Sequence, residues 1–409
     1  MRRAGARTTT KPLPPFARAH RRPPRAPPRR RAAHSYWDDS SYFTCGPTTI
    51  VDLWEQNANG TEGGARTLNN SWACSQARQA NCTYVDDLFL RRVLDVIEAH
   101  DPATPLFLSW TPHGVHTPLE VPQSYLDKFA FIDDVRRRTY AAMVNHLDDT
   151  IGAVAAALKA KGMWDNLLWL GSADNGGPIY NNGSAGANNF PLRGGKGANF
   201  EGGVRVNAWA TGGLIPAAQR GRKEPGLLAA WDFYATFCAL AGVDPTDHRA
   251  AAAGLPPVDS FNLWPLISGA NSTSPRAELA LGSAGLYSPW DGSTGRAAVQ
   301  GLIQMPYKLL IGDLGENIWQ SPVYPNSSTS WPDTSFSCGD APGCLFDLES
   351  DPYEYNDIAR AQPDVAARLR ARIAQLQEGV YDPYRGGDDG AACEAAITRY
   401  GGFWGPFAP

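Results

Sequence analysis

A short polar segment, Asp-Asn-Gly-Gly at residues 174–177, follows an apolar run at 167–170. Adjacent Asp and Asn side chains offer the hard oxygen ligands that Ca²⁺ and Mg²⁺ prefer. Further along, Pro-Leu-Arg-Gly-Gly-Lys at 191–196 places Lys196 on a glycine-rich loop, and Glu-Gly-Gly-Val-Arg follows at 201–205. A divalent metal beside a loop cation predicts a site for an anionic, tetrahedral group, which the spacing alone does not identify.

The elements around these segments alternate between helix and strand. Apolar residues at helical spacing predict helices at 84–100 and from about 140 to 162, and short apolar runs predict strands at 106–110, 167–170 and 204–210. The polar residues follow the carboxyl ends of the strands, where parallel sheets bind ligands. The pattern predicts an α/β, doubly wound, mostly parallel sheet with helices on both faces.

The character of the chain changes near residue 274. Strand-like pieces separated by turns follow, and a terminal helix begins with Pro363 in its first turn. We therefore predict a small C-terminal subdomain in which a helix packs on an antiparallel sheet. The predicted pieces are a helix at 227–241, a loop at 258–267, strands at 279–282, 297–304, 307–311 and 345–348, and a helix at 363–377.

Three blocks in this order, at 172–177, 191–196 and 201–205, resemble the sulfatase family of the alkaline-phosphatase superfamily, and are most similar to its arylsulfatase B-like branch. The resemblance implies an alkaline-phosphatase-like fold that is N-terminally incomplete here. Leu-Phe-Asp-Leu-Glu-Ser-Asp-Pro-Tyr-Glu at 345–354 resembles the signature of the C-terminal subdomain of that family.

The resemblance also assigns roles to residues. Asp174 and Asn175 match two of the four oxygen-donating calcium ligands of the family, and Lys196 matches the cation that holds a sulfate oxygen and stabilises charge on the leaving oxygen. His116 matches the histidine that contacts the sulfate and helps protonate the departing alcohol. His113 is the local alternative, and we favour His116 for its Val-His-x-Pro-Leu setting. The structural alternatives are a surface turn at 174–177 and a solvated lysine.

The nucleophile of the family is missing. Its mechanism needs a cysteine in Cys-x-Pro-x-Arg, oxidised to formylglycine, and the 409 residues contain no such motif. Cys45-Gly-Pro-Thr-Thr is the nearest approach, with Thr49 in place of the arginine. The Asp-Asp pair and the Lys-x-His segment of the family are absent as well, so two of the four calcium ligands are missing.

Three interpretations follow. We favour a truncated sulfatase, a sulfuric ester hydrolase acting with calcium on sulfate esters, and by resemblance on sulfated carbohydrate. The second interpretation is a catalytically dead sulfatase-fold protein that binds sulfated glycans. The third is a secreted structural glycoprotein in which the motifs are residual.

Charge is distributed unevenly. Residues 1–34 hold 11 of the 37 Lys and Arg residues, none of the 41 Asp and Glu residues, and many prolines. Such a segment is predicted to be disordered. A solvated tail, or a mis-assigned start of the gene, is favoured over binding to nucleic acid or an anionic surface. The expected domains are thus a basic segment at 1–34, the sulfatase core at 35–273 and the C-terminal subdomain at 274–409.

Several features indicate the secretory route, although no signal peptide is recognisable. Six Asn-x-Ser/Thr sequons are present, at Asn59, Asn69, Asn81, Asn182, Asn271 and Asn326. Cys74 with Cys82 and Cys338 with Cys344 are plausible short-loop disulfides, while Cys45, Cys238 and Cys393 remain. Cys238 is expected to be a buried thiol, and the odd count indicates a missing partner. The resemblance implies that Cys393 pairs with an N-terminal cysteine and that the protein is lysosomal or extracellular. No apolar run is long enough to span a membrane.

Overall fold

The computed structural model describes residues 2–3, 35–56, 62–64, 74–179, 183–282, 298–320, 335–380 and 390–406. The chain divides into two compact units. The first unit is Met1–Trp164 with Tyr384–Pro409, and the second is Asp165–Pro383. The domain boundaries predicted from the sequence follow a different division and stay predictions; residues 4–34 lie outside the described part. No helix in the described ranges is both long and apolar enough to cross a membrane.

The short strands of the first unit form two-stranded sheets. Arg2–Arg3 (β1) pairs in parallel with Leu106–Phe107 (β6), whereas Ser40–Cys45 (β2) with Thr48–Val51 (β3), and Trp54–Gln56 (β4) with Glu62–Gly64 (β5), are antiparallel pairs. The prediction of a buried strand at 106–110 was wrong in extent and burial. Only two residues are strand, and Phe107 is 52% exposed.

Two of the helices of the first unit agree with the predictions, and the short helix Gln123–Lys128 was not predicted. In chain order, the helices are Val85–Ala99 (α1), Gln123–Lys128 (α2) and Val135–Ala160 (α3). The α3 helix starts earlier than predicted because Asp134 caps it, its carboxylate accepting the backbone N–H groups of Arg136 and Arg137 at 2.9 Å. The core of this unit is formed by buried aromatic and aliphatic residues, among them Tyr36, Trp37, Tyr84, Val85, Val121, Ala142 and Met143.

The second unit begins with the strand that precedes the polar segment. Trp169–Ser172 (β7) pairs antiparallel with Ala208–Thr211 (β8). The strand predicted at 204–210 was wrong at its start, because Glu201–Val204 (α4) is a short helical turn. Gly202 and Gly203 of this turn pack closely on the backbone of residues 193–198. The other helices of this part are Asp232–Leu240 (α5), His248–Ala252 (α6) and Trp264–Ser268 (α7), the last lying in the predicted loop.

The C-terminal part of the second unit is a four-stranded antiparallel sheet with a helix on it, as predicted. The strand order is Cys344–Asp347 (β14), Tyr307–Leu310 (β11), Val299–Gln304 (β10) and Leu279–Gly282 (β9), and the helix is Pro363–Glu378 (α8). A further antiparallel pair joins Asp313–Glu316 (β12) to Ser335–Ser337 (β13). A further short helix of the first unit is Ala391–Glu394 (α9), and a π-helical segment follows it at Ala395–Arg399.

The two faces of this sheet have different partners. Successive side chains of a strand point to opposite faces. On one face the sheet packs against α8, and the contacts include Leu302, Leu309, Leu345, Leu369 and Ile373. On the other face the sheet packs against the segment that follows Lys196, through Ile303, Leu310, Phe346, Ala198 and Phe200. The sheet therefore supports the glycine-rich loop from one side.

Candidate functional site

The segment with Asp174 and Asn175 is attached to the rest of the second unit through backbone bonds. Gly176 N–H donates to the carbonyl of Gly203 at 2.9 Å, and Gly177 N–H donates to Oδ1 of Asn189 at 2.9 Å. The Asp174 side chain is exposed and the Asn175 side chain is half-buried. The two oxygen-bearing side chains therefore stand on a loop whose position is fixed by the bonds of its glycines.

Glycine at these positions is required by space. A Cβ atom on Gly176 would lie 1.6 Å from the carbonyl oxygen of Gly202, and one on Gly195 would lie 2.3 Å from the carbonyl oxygen of Gly177. Contacts this short with backbone atoms cannot be relieved by rotating a side chain. The two glycine-rich blocks singled out in the sequence therefore interlock backbone to backbone.

Lys196 lies on the same interlocked structure. Its backbone N–H donates to the carbonyl of Gly177 at 3.3 Å, and Gly202 N–H donates to the carbonyl of Arg193 at 2.6 Å. The Lys196 side chain is half-buried. The second unit thus brings the segment of Asp174 and Asn175 into direct contact with the Lys196 loop. The catalytic and ligand roles of these residues stay predictions.

A buried ionic cluster beside this loop was missed in the sequence. Lys308 Nζ lies 2.8 Å from Oε1 of Glu201 and 2.8 Å from Oε1 of Glu354. Lys308 and Glu354 are both 0% exposed. Burial raises the pKa of Glu354, and although burial opposes it, attraction to the two carboxylates leaves the pKa of Lys308 raised. A lysine inside an otherwise apolar strand, Tyr307–Leu310, was the available signal.

Arg193 joins the cluster from the start of the loop. Its guanidinium lies between the rings of Phe200 and Trp319, at 4.1 and 4.2 Å from their centroids. Its Nε donates to the carbonyl of Asn317 at 2.9 Å, and its Nη1 donates to the carbonyl of Glu354 at 3.3 Å. Burial lowers the pKa of Arg193, although a guanidinium remains protonated. These contacts fix Arg193 at the start of the loop.

His116 belongs to the first unit, in a loop held by buried side chains. Asp86 accepts the N–H groups of His113 and Gly114 at 3.1 and 3.0 Å, and the Tyr36 hydroxyl donates to the carbonyls of His113 and His116. The His116 side chain is exposed, and its Nδ1 lies 2.7 Å from the carbonyl of Thr117. A carbonyl can only accept, so Nδ1 carries a proton. The role of His116 stays a prediction.

The two other histidines near this region differ in environment. His113 is exposed, with Nδ1 3.5 Å from Asp86. His146 is buried on α3, where its Nε2 lies 2.9 Å from Asp87 and its ring contacts those of Tyr84 and Tyr125 edge to face. His146 is therefore a packed helix residue.

The disulfides show whether Cys45, the nearest match to the nucleophile motif, has a free thiol. Cys45 forms a disulfide with Cys393, so its sulfur is not a thiol available for oxidation to formylglycine. The Cys74–Cys82 and Cys338–Cys344 disulfides are confirmed, and Cys238 is half-buried and reduced. The sequence predicts a buried thiol at Cys238, whereas the side chain is half-buried, because Cys238 lies beside the exposed end of α5.

The described residues do not complete a calcium site. Ca²⁺ takes six to eight oxygen ligands. Asp174 and Asn175 supply two side chains, and nowhere among the described residues do three or more His, Cys, Asp or Glu side chains form a group that could hold a metal ion. The described residues therefore provide only two of the four side chains that the resemblance assigns to calcium.

Comparison with known proteins agrees with the motifs. A family model described as Sulfatase matches residues 33–243. Arylsulfatase J of Mus musculus is 30% identical over 339 residues, which are 80% of this chain and 54% of that protein. N-acetylgalactosamine-6-sulfatase of Homo sapiens is 30% identical over 190 residues, 46% of this chain and 33% of that protein. The chain spans about half the length, or less, of these relatives.

Solved structures share the fold. Ps i-CgsB in complex with k-i-k-neocarrahexaose has a TM-score of 0.57 at 24% identity, and the match covers 79% of this chain and 58% of that one. The PsFucS1 sulfatase from Pseudoalteromonas sp. has a TM-score of 0.53 at 20% identity, with coverages of 80% and 59%. The predicted fold class, α/β and alkaline-phosphatase-like with a C-terminal antiparallel sheet and helix, is confirmed. Motif order, fold and the match over half of its residues together establish that this chain belongs to the sulfatase family.

Proposed function

We propose that this chain carries part of the site of a sulfuric ester hydrolase that acts on sulfated carbohydrate. The observation that carries the proposal is the contact between the Lys196 loop and the segment of Asp174 and Asn175. A cation on a glycine-rich loop suits a tetrahedral anion such as a sulfate group when the adjacent segment carries oxygens that could hold a divalent metal. The interlocked glycines let the two backbone segments approach closely, and Asp174, Asn175 and Lys196 are the side chains proposed to face the ligand.

Each residue has a distinct proposed role. The Lys196 ammonium holds a sulfate oxygen and stabilises the negative charge that develops on the leaving oxygen. The imidazole of His116, protonated at both nitrogens, delivers a proton from Nε2 to the departing alcohol while Nδ1–H stays with Thr117. Asp174 and Asn175 are proposed as two of the ligands of a calcium ion, which when bound would polarise the sulfate oxygens.

The nucleophile is proposed to come from outside these 409 residues, as expected for a truncated form. No Cys-x-Pro-x-Arg motif is present in the sequence. The one cysteine near such a motif, Cys45, is joined to Cys393. The chain by itself is therefore expected to bind sulfate without hydrolysing its esters.

The same observation favours a second candidate function. A sulfatase-fold protein with an anion pocket and no nucleophile would bind sulfated glycans without chemistry. The two candidates differ in their dependence on a nucleophile segment. Adding a separately expressed segment with Asp-Asp and Cys-x-Pro-x-Arg restores turnover only under the first candidate.

The substrate class is proposed from the relatives. The name of the human relative, N-acetylgalactosamine-6-sulfatase, denotes a sulfated amino sugar, and the Ps i-CgsB structure is a complex with k-i-k-neocarrahexaose. Both are carbohydrates, which supports a sulfated saccharide over a small aryl ester as the physiological substrate of this protein.

A secretory location is part of the proposal. The three disulfides are typical of an oxidising compartment. Of the six sequons, the asparagines of the two that are described, Asn81 and Asn271, are both exposed. Protein secreted from a eukaryotic host is expected to lose mass on treatment with an N-glycosidase; an unchanged mass would argue against glycosylation.

Titration of the chain with inorganic sulfate, paired with an aryl sulfate assay, tests the function. We expect sulfate to bind and 4-nitrophenyl sulfate to remain uncleaved, with and without a calcium chelator. Robust turnover that survives the chelator would refute the assigned chemistry. Absence of both binding and turnover would remove the anion site altogether.

A further inference from the structure

The lysine loop, residues 193–203, is anchored at both ends in charged groups that are buried. At its start, Arg193 is 7% exposed and is held between two aromatic rings. At its end, Glu201 is 3% exposed, and its backbone N–H donates to Oε2 of Glu354 at 2.7 Å. Lys308, on a strand of the C-terminal sheet, bonds the carboxylates of both Glu201 and Glu354.

The four buried groups are balanced in charge, and the exposed Arg205 also lies 3.7 Å from Oε2 of Glu201. Arg193 and Lys308 contribute two cations, and Glu201 and Glu354 contribute two anions. Buried charges are costly to keep, and removing one partner leaves another uncompensated. A buried set of this kind is weak evidence for stability alone, because well-packed apolar residues commonly serve as well or better. Because these groups contact both ends of one loop, we expect them to fix the path of that loop.

The backbone of Glu354 adopts an unusual conformation. Its φ angle is 60°, in the left-handed region that residues other than glycine seldom adopt. Such conformations persist where the surroundings determine them, and they concentrate near functional sites. Here the left-handed turn directs the Glu354 carboxylate to Lys308 and Glu201, while its carbonyl accepts from Arg193.

The middle of the lysine loop is held through its backbone. Gly194, Gly195 and Gly197 have no side chains to pack, and the Lys196 N–H donates to the carbonyl of Gly177 at 3.3 Å. Gly202 N–H closes the loop on the carbonyl of Arg193 at 2.6 Å. The position of Lys196 therefore follows the path of the backbone. Both ends of that path contact Glu354, Arg193 through the Glu354 carbonyl and Glu201 through the Glu354 carboxylate.

We infer that Lys308, acting through Glu201, Glu354 and Arg193, is a positioning residue for Lys196. It contacts no substrate; it sets the place at which the Lys196 ammonium meets a sulfate group. This role rests on the proposed function of Lys196, and it predicts that a charge change in the sheet alters anion binding at the loop.

The test is the Lys308→Met variant of the full chain, measured in two ways. Hydrogen–deuterium exchange of a peptide within 194–200 is expected to rise about tenfold or more, while peptides from the helix Pro363–Glu378 exchange as in wild type. The dissociation constant for inorganic sulfate is expected to rise at least tenfold. Arg372→Met, which removes a cation from a different ion pair of the same unit, is the control and should change neither quantity.

A second variant separates positioning from simple loss of packing. In Lys308→Met/Glu354→Gln, one cation and one anion are removed together, and the charges of Arg193 and Glu201 still balance. Sulfate affinity and loop exchange are expected to return toward the wild-type values. If Lys308→Met does not fold, Glu354→Gln alone leaves Lys308 with one carboxylate and is expected to raise loop exchange selectively.

Two outcomes would overturn the inference. Wild-type sulfate affinity and loop exchange in Lys308→Met would show that the cluster does not set the loop. Exchange raised equally throughout the second unit would show a structural role only. If the wild-type chain binds no sulfate, the proposed function fails, and the exchange measurements still decide whether the cluster positions the loop.

Discussion

Lys196 stands between glycines at 195 and 197, so its ammonium is the polar group that the loop offers at this point. Hydrogen bonds to charged groups contribute about 1.5–3 kcal/mol, which corresponds to roughly tenfold or more in affinity. Lys196→Ala is therefore expected to weaken sulfate binding at least tenfold by calorimetric titration. Lys223→Ala, at an exposed lysine of the same unit, is the matched control. Equal affinities of the two variants would remove Lys196 from the site.

Asp174 and Asn175 predict a weak calcium site. Two side chains fall short of the six to eight oxygens that Ca²⁺ takes, so the chain alone is expected to bind calcium with a dissociation constant of about 1 mM or weaker. Asp174→Ala should abolish even this binding. Micromolar affinity in the chain as given would contradict the view that half of the ligands are missing.

Contacts between residues could be predicted from the sequence where each partner lies in a contiguous motif. The loop contact between 174–177 and 191–196 could be expected because each block is contiguous and rich in glycine. The partnership of Lys308 with Glu201 could not, because the two residues are 107 positions apart. Their contact depends on strand register and on how the sheet meets the loop, neither of which is encoded in local spacing.

At the scale of elements, helix Asp232–Leu240 is fixed by an ion pair at its first turn. Asp232, which is 0% exposed, accepts Nε of Arg276 at 2.8 Å and the backbone N–H groups of Ala229 and Phe261. Removing one partner of a buried pair costs about 3–5 kcal/mol. Arg276→Ala is expected to lose this much in urea unfolding, whereas Arg249→Ala, on an exposed helix, should stay within about 0.5 kcal/mol of wild type. A similar small loss in both variants would show that the pair contributes little.

The ion pair of Arg372 with Glu278 links helix Pro363–Glu378 to the start of β9 in a pH-dependent way. The bond from Arg372 lowers the pKa of Glu278 below its usual 4.5. A lowered carboxyl pKa adds stability above the unfolded value and loses it as the pH falls through the folded value. Because the pair is partly solvated, wild type should exceed Glu278→Gln by less than about 1 kcal/mol at pH 7. The difference should vanish well below pH 4; a difference constant with pH would exclude this ionic contribution.

The long helices and the strands of the C-terminal sheet could be predicted from their apolar spacing, and one error has a tertiary cause. The helix at 363–377 and the strand at 279–282 agree with the structure within one residue. The strand predicted from residue 204 begins only at Ala208. The residues before it form a helical turn, Glu201–Val204, whose glycines contact the backbone of the Lys196 loop. Tertiary contacts thus overruled a local pattern.

At the scale of the whole molecule, the Cys45–Cys393 disulfide closes a segment of 348 residues, whereas Cys338–Cys344 closes one of 6. In the chain-entropy account, longer closed loops stabilise more. Cys45→Ser/Cys393→Ser is expected to cost about 3–5 kcal/mol, and Cys338→Ser/Cys344→Ser about 2 kcal/mol. Scanning calorimetry of the two double variants checks the order, and a larger loss from the short loop would contradict it.

The first unit is assembled from two stretches of chain, while the second, Asp165–Pro383, is continuous. On a ribosome, the continuous unit is therefore fully made while the other still lacks its closing stretch. Cys45 cannot form its disulfide until residue 393 has been translated, and Cys74 and Cys82 lie nearby in the chain as alternative partners. Oxidative maturation of the nascent protein is thus expected to depend on a disulfide isomerase, and newly made chains should pass through scrambled forms involving Cys45.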